Sequence, residues 1–441
     1  MRNLICLRRT VLALSILVSF AFILPSFAFA VSGLSSADLD QLRQKMGIPA
    51  GKAAGAGLKI PIGISLPMSG GAEEFAGPMS NGVKLGLKMV KEMGGPDFQP
   101  TFYDIQMGVA QLGVNAITDM GAKRVGMALV GWAFCAYSQI PGAQKYHILM
   151  LDAGGGTGAT AKGKDYAWGT RNDEDQMEAA GAIMYAVKTH PDFKTVMSIG
   201  QDYGQEYDKV EAGMIQKQLA AANKLMGTQI QYLGDERAAN NTTDYSSLIA
   251  KINEKNPDIL LMLPFDGNAP ILFMKQVTEG QPIKAMCIGS DWSMTNSKQA
   301  GLAWKNYYHA GQEFFPQYAI NPMGVAFYKA YKAEYKSEPN FFAAGFFEDC
   351  FTMWDLVRRV IAKGGDPRSG EQLQNALKAE PSFQSVHNGD KNTVGIVHWN
   401  VETHDPIDLT DYICKNDAEK NVLIPLASFG DYGIDFKMLS K

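Results

Sequence analysis

The sequence predicts an α/β fold built on parallel sheets, and three observations carry that expectation. The first is a set of short apolar runs: KIPIGISLP from Lys59, MALVGW from Met127, HILMLDA from His147 and PDILLMLPF from Pro257. Each is too short for a helix and is closed by turn residues, as expected of strands buried on both faces. The second is alternation: strand and helix patterns follow one another roughly every 25 residues as far as Trp292. The third is number, since the strands exceed one comfortable doubly wound sheet and fit two in succession.

The chain opens with a segment that reads as an export leader. Arg2, Arg8 and Arg9 precede the apolar stretch Val11 to Leu24, and Ala28-Phe29-Ala30 has the form of a cleavage site. Cys6 lies before that site, so it is no lipid-attachment cysteine. The reading is a soluble protein exported to the periplasm. The formal charge of −4 and a charged fraction of 20% leave no nucleic-acid footprint. Cys135, Cys287, Cys350 and Cys414 remain beyond the leader. An oxidising compartment permits disulfides, but their wide spacing reads as free, buried thiols. Residues 31–57 read as an appendage: a short capped helix, SSADLDQLRQKMG, then the small-residue linker IPAGKAAGAG, together a solvated arm.

The globular part begins at Leu58. A strand leads into the loop MSGGAEEFAGP and a helix that Gly94-Gly95 ends; QPTFYDIQ is a strand and GVAQLGVNAITDMGAK a helix. After the central stretch come a helix from Asp173, the strand KTVMSIGQ, a long helix from Gln205 and the strand TQIQYLGDER. A helix capped by Asp244, a buried strand to Phe265, a helix from Ala269 and the strand IKAMCIGSDW complete the alternation. From Asn306 the rhythm changes. A strand runs to Pro316, long helices follow from Asn321 and Phe341, then a helical EQLQNALKAE, and TVGIVHWNV and PIDLTDYICK read as closing strands.

The central stretch, Val125 to Ala159, organises the rest. Two consecutive strands end in loops of small residues at Gly131 and at Gly154-Gly155-Gly156. In open α/β sheets ligands bind beyond the carboxyl ends of the strands. Small-residue loops and helix N-termini there turn N–H groups into the crevice, so an anion such as a carboxylate is the expected guest.

At IPIGISLPMSGGAEEFAG, followed by Asn81-Gly82 and a helix, the chain resembles the branched-chain amino-acid (Leu/Ile/Val) binding proteins of ABC transporters, which are periplasmic type I solute-binding proteins. Further landmarks follow in order: Asp104, Gly131, the glycine loop with Thr157, Arg171 with Asp175, Asp202-Tyr203-Gly204, Phe265-Asp266 and Asp291. The resemblance implies two doubly wound parallel-sheet lobes joined by three hinge crossings, near Arg171, Glu313 and His387. Lobe one would hold 58–171 and 314–386, and lobe two 172–313 and 387–441. It implies a monomer that closes on a small-molecule ligand, an amino acid or related carboxylate, and hands it to a membrane permease, without a cofactor.

The site residues follow from the same resemblance. Phe75 would pack on the ligand side chain. Cys135 (or Ala136, with a one-residue gap) stands where the family places a carboxylate-binding Ser. Gly155, Gly156 and Thr157 form the second carboxylate loop, and Asp291 takes the ligand ammonium. Phe265 and Asp266 meet the ligand from lobe two, with Tyr203 at its rim. Trp132, Phe134 and Tyr137 make the first loop unusually aromatic, which raises an aromatic or larger acid as the alternative to Leu, Ile or Val. Glu73 and Glu74 depart from the family's small residues and read as solvated.

Other functions find less support. Gly156 to Ala161 fits G-x-G-x-x-A, but no acidic residue ends a following strand at the required distance. Gly158 to Lys164 fits G-x-x-x-x-G-K, but Asp165 replaces the magnesium-binding Ser or Thr. His398, His404 and Asp405 are too irregularly spaced for a metal site. An enzyme is therefore not expected. A ligand sensor partnering a receptor stays open, because the same fold serves both roles.

Overall fold

The computed structural model describes residues 33–106, 109–155, 161–171, 174–263, 265, 268–280, 282–289, 307–387, 395–407, 409–417, 422–430 and 433–439, with the side chains at 133–135, 174–177, 206, 207 and 422 outside that description. The first unit centres on five parallel strands, β1 (Lys59–Leu66), β2 (Asp97–Asp104), β3 (Met127–Val130), β4 (Leu149–Asp152) and β5 (Ala167–Gly169), in the order β2-β1-β3-β4-β5. The continuous apolar runs are explained by burial on both faces. Ile60, Ile62, Ile64 and Leu66 of β1 join one core with Met127, Leu129, Leu149 and Leu151. Ala128, Val130 and Met150 face the opposite core with Met120 and Ile140.

The helices α2 (Glu73–Glu92), α3 (Ala110–Ala122) and α4 (Ala133–Tyr146) link these strands. Later helices return to the same unit: α9 (Pro322–Tyr335), α10 (Phe341–Ala362) and α11 (Gly370–Ala379), with α1 (Ser36–Lys45) near the start. Helix α10 is the spine of the first core, contributing Phe341, Phe342, Phe346, Phe347, Met353 and Trp354 to it. It lies so close to α2 that a Cβ on Gly82 would fall 2.3 Å from the Ala343 carbonyl oxygen. That explains the glycine in the Asn81-Gly82 signature: only a residue without a side chain allows the two backbones to meet there.

The second unit holds α5 (Glu174–Thr189), α6 (Gln205–Met226), α7 (Ser246–Lys255) and α8 (Ala269–Glu279) around an eight-stranded sheet. Strands β6 (Thr195–Gln201), β7 (Gln231–Ala238), β8 (Ile259–Met262), β9 (Met286–Gly289) and β10 (Tyr307–Gln312) run parallel; β14 (Asp411–Asp417), β15 (Val422–Phe429) and β16 (Lys437–Met438) extend the sheet antiparallel in the order β16-β15-β14-β10-β9-β8-β6-β7. Ile259 and Leu261 face one core and Leu260 and Met262 the other.

A three-stranded sheet, β11 (Ser382–Gln384), β12 (Ile396–Asn400) and β13 (Asp405–Pro406), completes the first unit. Here the expected division at His387 needs correction. Val397, Trp399 and Leu409 lie in the first core, Trp168 stacks on His404 at 4.1 Å, and Gly169 N–H donates to the His404 carbonyl. The chain therefore stays with the first unit until Leu409 and enters the second sheet at Asp411.

The expectation of a solvated arm also fails. Leu39 and Leu42 of α1, with Leu34, Ile48 and Ala54, are buried in the first core. A capping box at Ser35 and Asp38 starts α1. The Trp354 indole N–H donates to the Ala54 carbonyl at 2.7 Å, and Arg43 donates to the Met93 carbonyl. Among the described residues Cys287, Cys350 and Cys414 are free and buried. No helix among them is long and apolar enough to cross a membrane.

Candidate functional site at the strand ends

The carboxyl ends of β1, β3 and β4 open on one side of the first sheet, as parallel pairing requires. The loop after β1 is held by Asp104, which ends β2. One carboxylate oxygen accepts from the Met68, Ser69 and Gln106 N–H groups at 3.0, 3.2 and 2.9 Å, and the other from the Ser69 hydroxyl. Partial burial works to raise this carboxyl's pKa, but the donors outweigh it and hold it below the usual range. Asp104 is thus the anchor of the first loop. Glu73 continues the task by accepting from Gly71 N–H at 3.0 Å.

The next two loops touch backbone to backbone. A Cβ on Gly154 would lie 2.7 Å from both Gly131 Cα and Trp132 N, so any side chain there would separate the loops. Gly154 N–H donates to Asp152 at 2.7 Å, which shapes the second loop. Between Val130 and α4 only Gly131 and Trp132 remain, so the loop expected to carry Trp132, Phe134 and Tyr137 is already helix from Ala133. The N-terminus of α4 thereby opens beside the glycine loop, with the positive potential that such ends carry. Trp132 adopts φ 80°, a left-handed conformation unusual for a bulky residue and of the kind found at ligand clamps.

An aromatic layer lies beneath. Phe75 is only 2% exposed and meets Trp132 edge-on at 5.3 Å and Phe342 at 5.7 Å. Phe341 lies tilted against Phe342 at 4.0 Å, and the Arg171 guanidinium stands 4.2 Å from the Phe341 ring centre. Arg171 is itself 2% exposed and lies 3.8 Å from the buried Glu178 of α5. The layer thus runs from the first loops to the point where the chain leaves the first unit.

The predicted residues are distributed as follows. Phe75, Ala136 and Gly155 belong to this side of the first unit; Ala136 is buried in α4, and Cys135 stands in its first turn with its side chain outside the description. In the second unit the Tyr203 hydroxyl donates to Gln201 at 2.9 Å, and Gly204 N–H donates to Asp202. Phe265 is buried, edge-on to Tyr245 and Phe273. Gly156, Thr157, Asp266 and Asp291 lie outside the described residues. His404, weighed above as a metal ligand, places Nδ1 2.9 Å from the Ala167 carbonyl, and among the described residues no cluster of His, Cys, Asp and Glu is suited to hold a metal ion.

Sequence reasoning missed the carboxylates of α10. Glu348 accepts from Ser385 Oγ at 2.8 Å and Val386 N–H at 2.6 Å, with His387 Nδ1 at 3.6 Å. Asp349, 1% exposed, is forced well above the ordinary carboxylate range by burial, against the influence of Thr170, with Glu348 and Asp152 adding repulsion. A raised folded pKa means that the native state holds a proton the unfolded chain has released. Asp349's contribution is thus fully present below the unfolded pKa of about 4 and lost as pH rises towards the folded value, by at most about 1.4 kcal/mol per pH unit. Asp349→Asn should flatten that decline. Urea titrations at acid and neutral pH check it, and parallel pH profiles for variant and parent would refute it.

A family profile described as "Periplasmic binding protein" matches residues 59–396. Curated relatives named Leu/Ile/Val-binding protein homolog 8, from Brucella abortus, Brucella suis and Brucella melitensis, are 26% identical over 156 residues, 34% of this chain and 31% of theirs. The match therefore spans about a third of those relatives' length. Among solved structures, a branched-chain amino acid transporter substrate binding protein of Streptococcus pneumoniae, in complex with isoleucine, superposes with TM-score 0.66 at 19% identity, covering 84% of this chain and 99% of that one. A solute binding protein of R. palustris in complex with benzoate gives 0.67 at 16% identity, covering 87% and 98%. Another from Rhodopseudomonas palustris, with 3,4-dihydroxy benzoic acid, gives 0.64 at 19%, covering 85% and 98%. These likenesses concern the fold, a two-lobed type I architecture. With the family profile matched from the first strand to the β12 strand, the chain belongs to the periplasmic binding protein family.

Proposed function

We propose that this chain is the exported solute-binding component of an ABC transporter, capturing an amino acid or a similar small carboxylate between two closing lobes. The observation that carries the proposal is the apposition of the α4 N-terminus with the Gly154 loop at the ends of β3 and β4. That corner offers backbone donors and positive potential to a carboxylate. Lobe one comprises 58–171 and 314–409, with 33–57 docked on it, and lobe two comprises 172–313 and 410–441. The Arg-rich leader is removed near Ala30, the protein works as a monomer in the periplasm, and a membrane permease receives the ligand. Thr157 with Gly155 and Gly156 holds the carboxylate, and Asp291 meets the ammonium.

A second reading, an aromatic acid as ligand, is favoured by Trp132 and Phe75 beside the corner, and by the benzoate and dihydroxybenzoate held by two proteins of like fold. A thermal-shift screen of amino acids and aromatic acids separates the two. A ligand at 100 times its Kd stabilises by about 2.7 kcal/mol. Stabilisation by neither class would overturn the proposal. For an amino-acid ligand, Asp291→Asn should weaken binding by about 2–5 kcal/mol, because a closed cleft desolvates the charge pair. Equal calorimetric affinities for variant and parent would hand the site to the aromatic acid.

A further inference from the structure

The docked N-terminal arm closes a cavity of about 160 Å³ on the far side of lobe one. It lies against the C-terminal half of α10, roughly 20 Å along that helix from Phe341 and Phe342 at the cleft end. Phe351, Phe383 and Ile396 make one apolar wall, and Met46 and Ile48 of the arm another. The polar lining combines Thr352, Asp355, Arg358 and Arg359 of α10, three of them one helical turn apart on a single face, with Glu380, Ser382 and Gln384.

The charges lining the hollow are unevenly paired. Arg358 and Arg359 both pair with the one carboxylate of Asp355. Arg359 is 8% exposed, stacks on Phe383 at 4.6 Å, and spends its terminal nitrogens on the Glu380 and Ser382 carbonyls. Its buried Nε–H has no hydrogen-bond partner, and neither has the buried Thr352 hydroxyl. The acid that could restore neutrality, Glu380, points largely to solvent, with its carboxylate 3.9 Å from Nε. Two cations thus face two carboxylates, but the Glu380 pairing is long and largely exposed, so it offsets little of the charge beside the apolar hollow.

We propose that this cavity is a second ligand site, separate from the cleft, for a small monocarboxylate with a branched or aromatic apolar tail. The carboxylate meets Arg358, which is a quarter exposed and can reorient. The tail fills the space between Phe351, Phe383 and the arm. The self-charge that competes is Glu380. Because Met46 and Ile48 form a wall, occupancy also clamps the arm in its docked position.

Isovalerate is the probe, titrated into full-length protein carrying 13C-labelled methionine and isoleucine methyl groups. Saturable shifts are expected at Met46, Ile48 and Ile396. Arg358→Gln should weaken the titration about tenfold or more, the loss expected for a charge-assisted hydrogen bond. Glu380→Gln, which removes only the competing exposed charge, should tighten it several-fold. The proposal is overturned if those three methyl groups do not respond at millimolar isovalerate, if shifts appear only at the cleft, or if both variants titrate like the parent.

Discussion

Arg171→Ala should cost about 3–5 kcal/mol of stability, the range for removing one partner of a buried ion pair. The guanidinium sits where the chain first leaves the first unit, 3.8 Å from the fully buried Glu178 of α5 and against the ring of Phe341 of α10. It therefore ties a helix of each unit to the crossing, and its loss leaves a buried carboxylate with less compensation. Arg171→Lys keeps the charge but loses the guanidinium's contact with the ring, so it should cost less, about 1–2 kcal/mol. Urea denaturation of the three proteins ranks them. If Arg171→Ala unfolds at the parent's midpoint, Arg171 has no such role.

Trp354→Ala should be at least as damaging. The indole is wholly buried between α10 and the docked arm, packs near Phe351, and donates to Ala54. Truncation of a buried aromatic costs about 3–5 kcal/mol through lost burial and the cavity left behind. The Ala54 carbonyl also loses its donor. Trp354→Phe retains most of the ring and should lose about 1 kcal/mol, chiefly the hydrogen bond. Thermal unfolding measures both, and protease sensitivity of residues 33–57 should rise in step. An arm equally protected in Trp354→Ala would show that the indole does not hold it.

The parallel strands were legible because burial on both faces forces unbroken apolar runs, and KIPIGISLP, MALVGW, HILMLDA and PDILLMLPF each contain one. What escaped lacked that local signal. The three-residue strand β5 and the two-residue β13 exist because partner strands complete them, and β15 pairs with β14 only after the chain has turned back. At the candidate site, the glycines were visible as small residues, but their cause was not. Gly154 is set by contact with Trp132 N, across more than 20 positions of chain. Phe75 was read as a ligand contact from its place after the first strand; its packing between Trp132 and Phe342 had no local signal. The carboxylates Glu348 and Asp349 did leave a trace, two acids inside the apolar run FFAAGFFEDCF, and such an interruption marks a buried polar role. The arm misled because ten residues of weak amphipathic helix say nothing of a partner helix at Pro322–Tyr335, far along the chain.

That separation has a consequence for the order in which the molecule is made. The arm is the first described segment to leave the ribosome, yet the surface that receives it is among the later ones. Ala54 reaches Trp354 across 300 positions, and α1 rests on α9. Closing so long a loop is an entropic cost that must be met before its contacts give anything back, so such contacts belong to slow, late folding. Until α10 has been synthesised, the arm and β1 have no complete core to join. The first unit therefore completes its core only after α10 has been made, although its first strand is among the earliest segments of the chain.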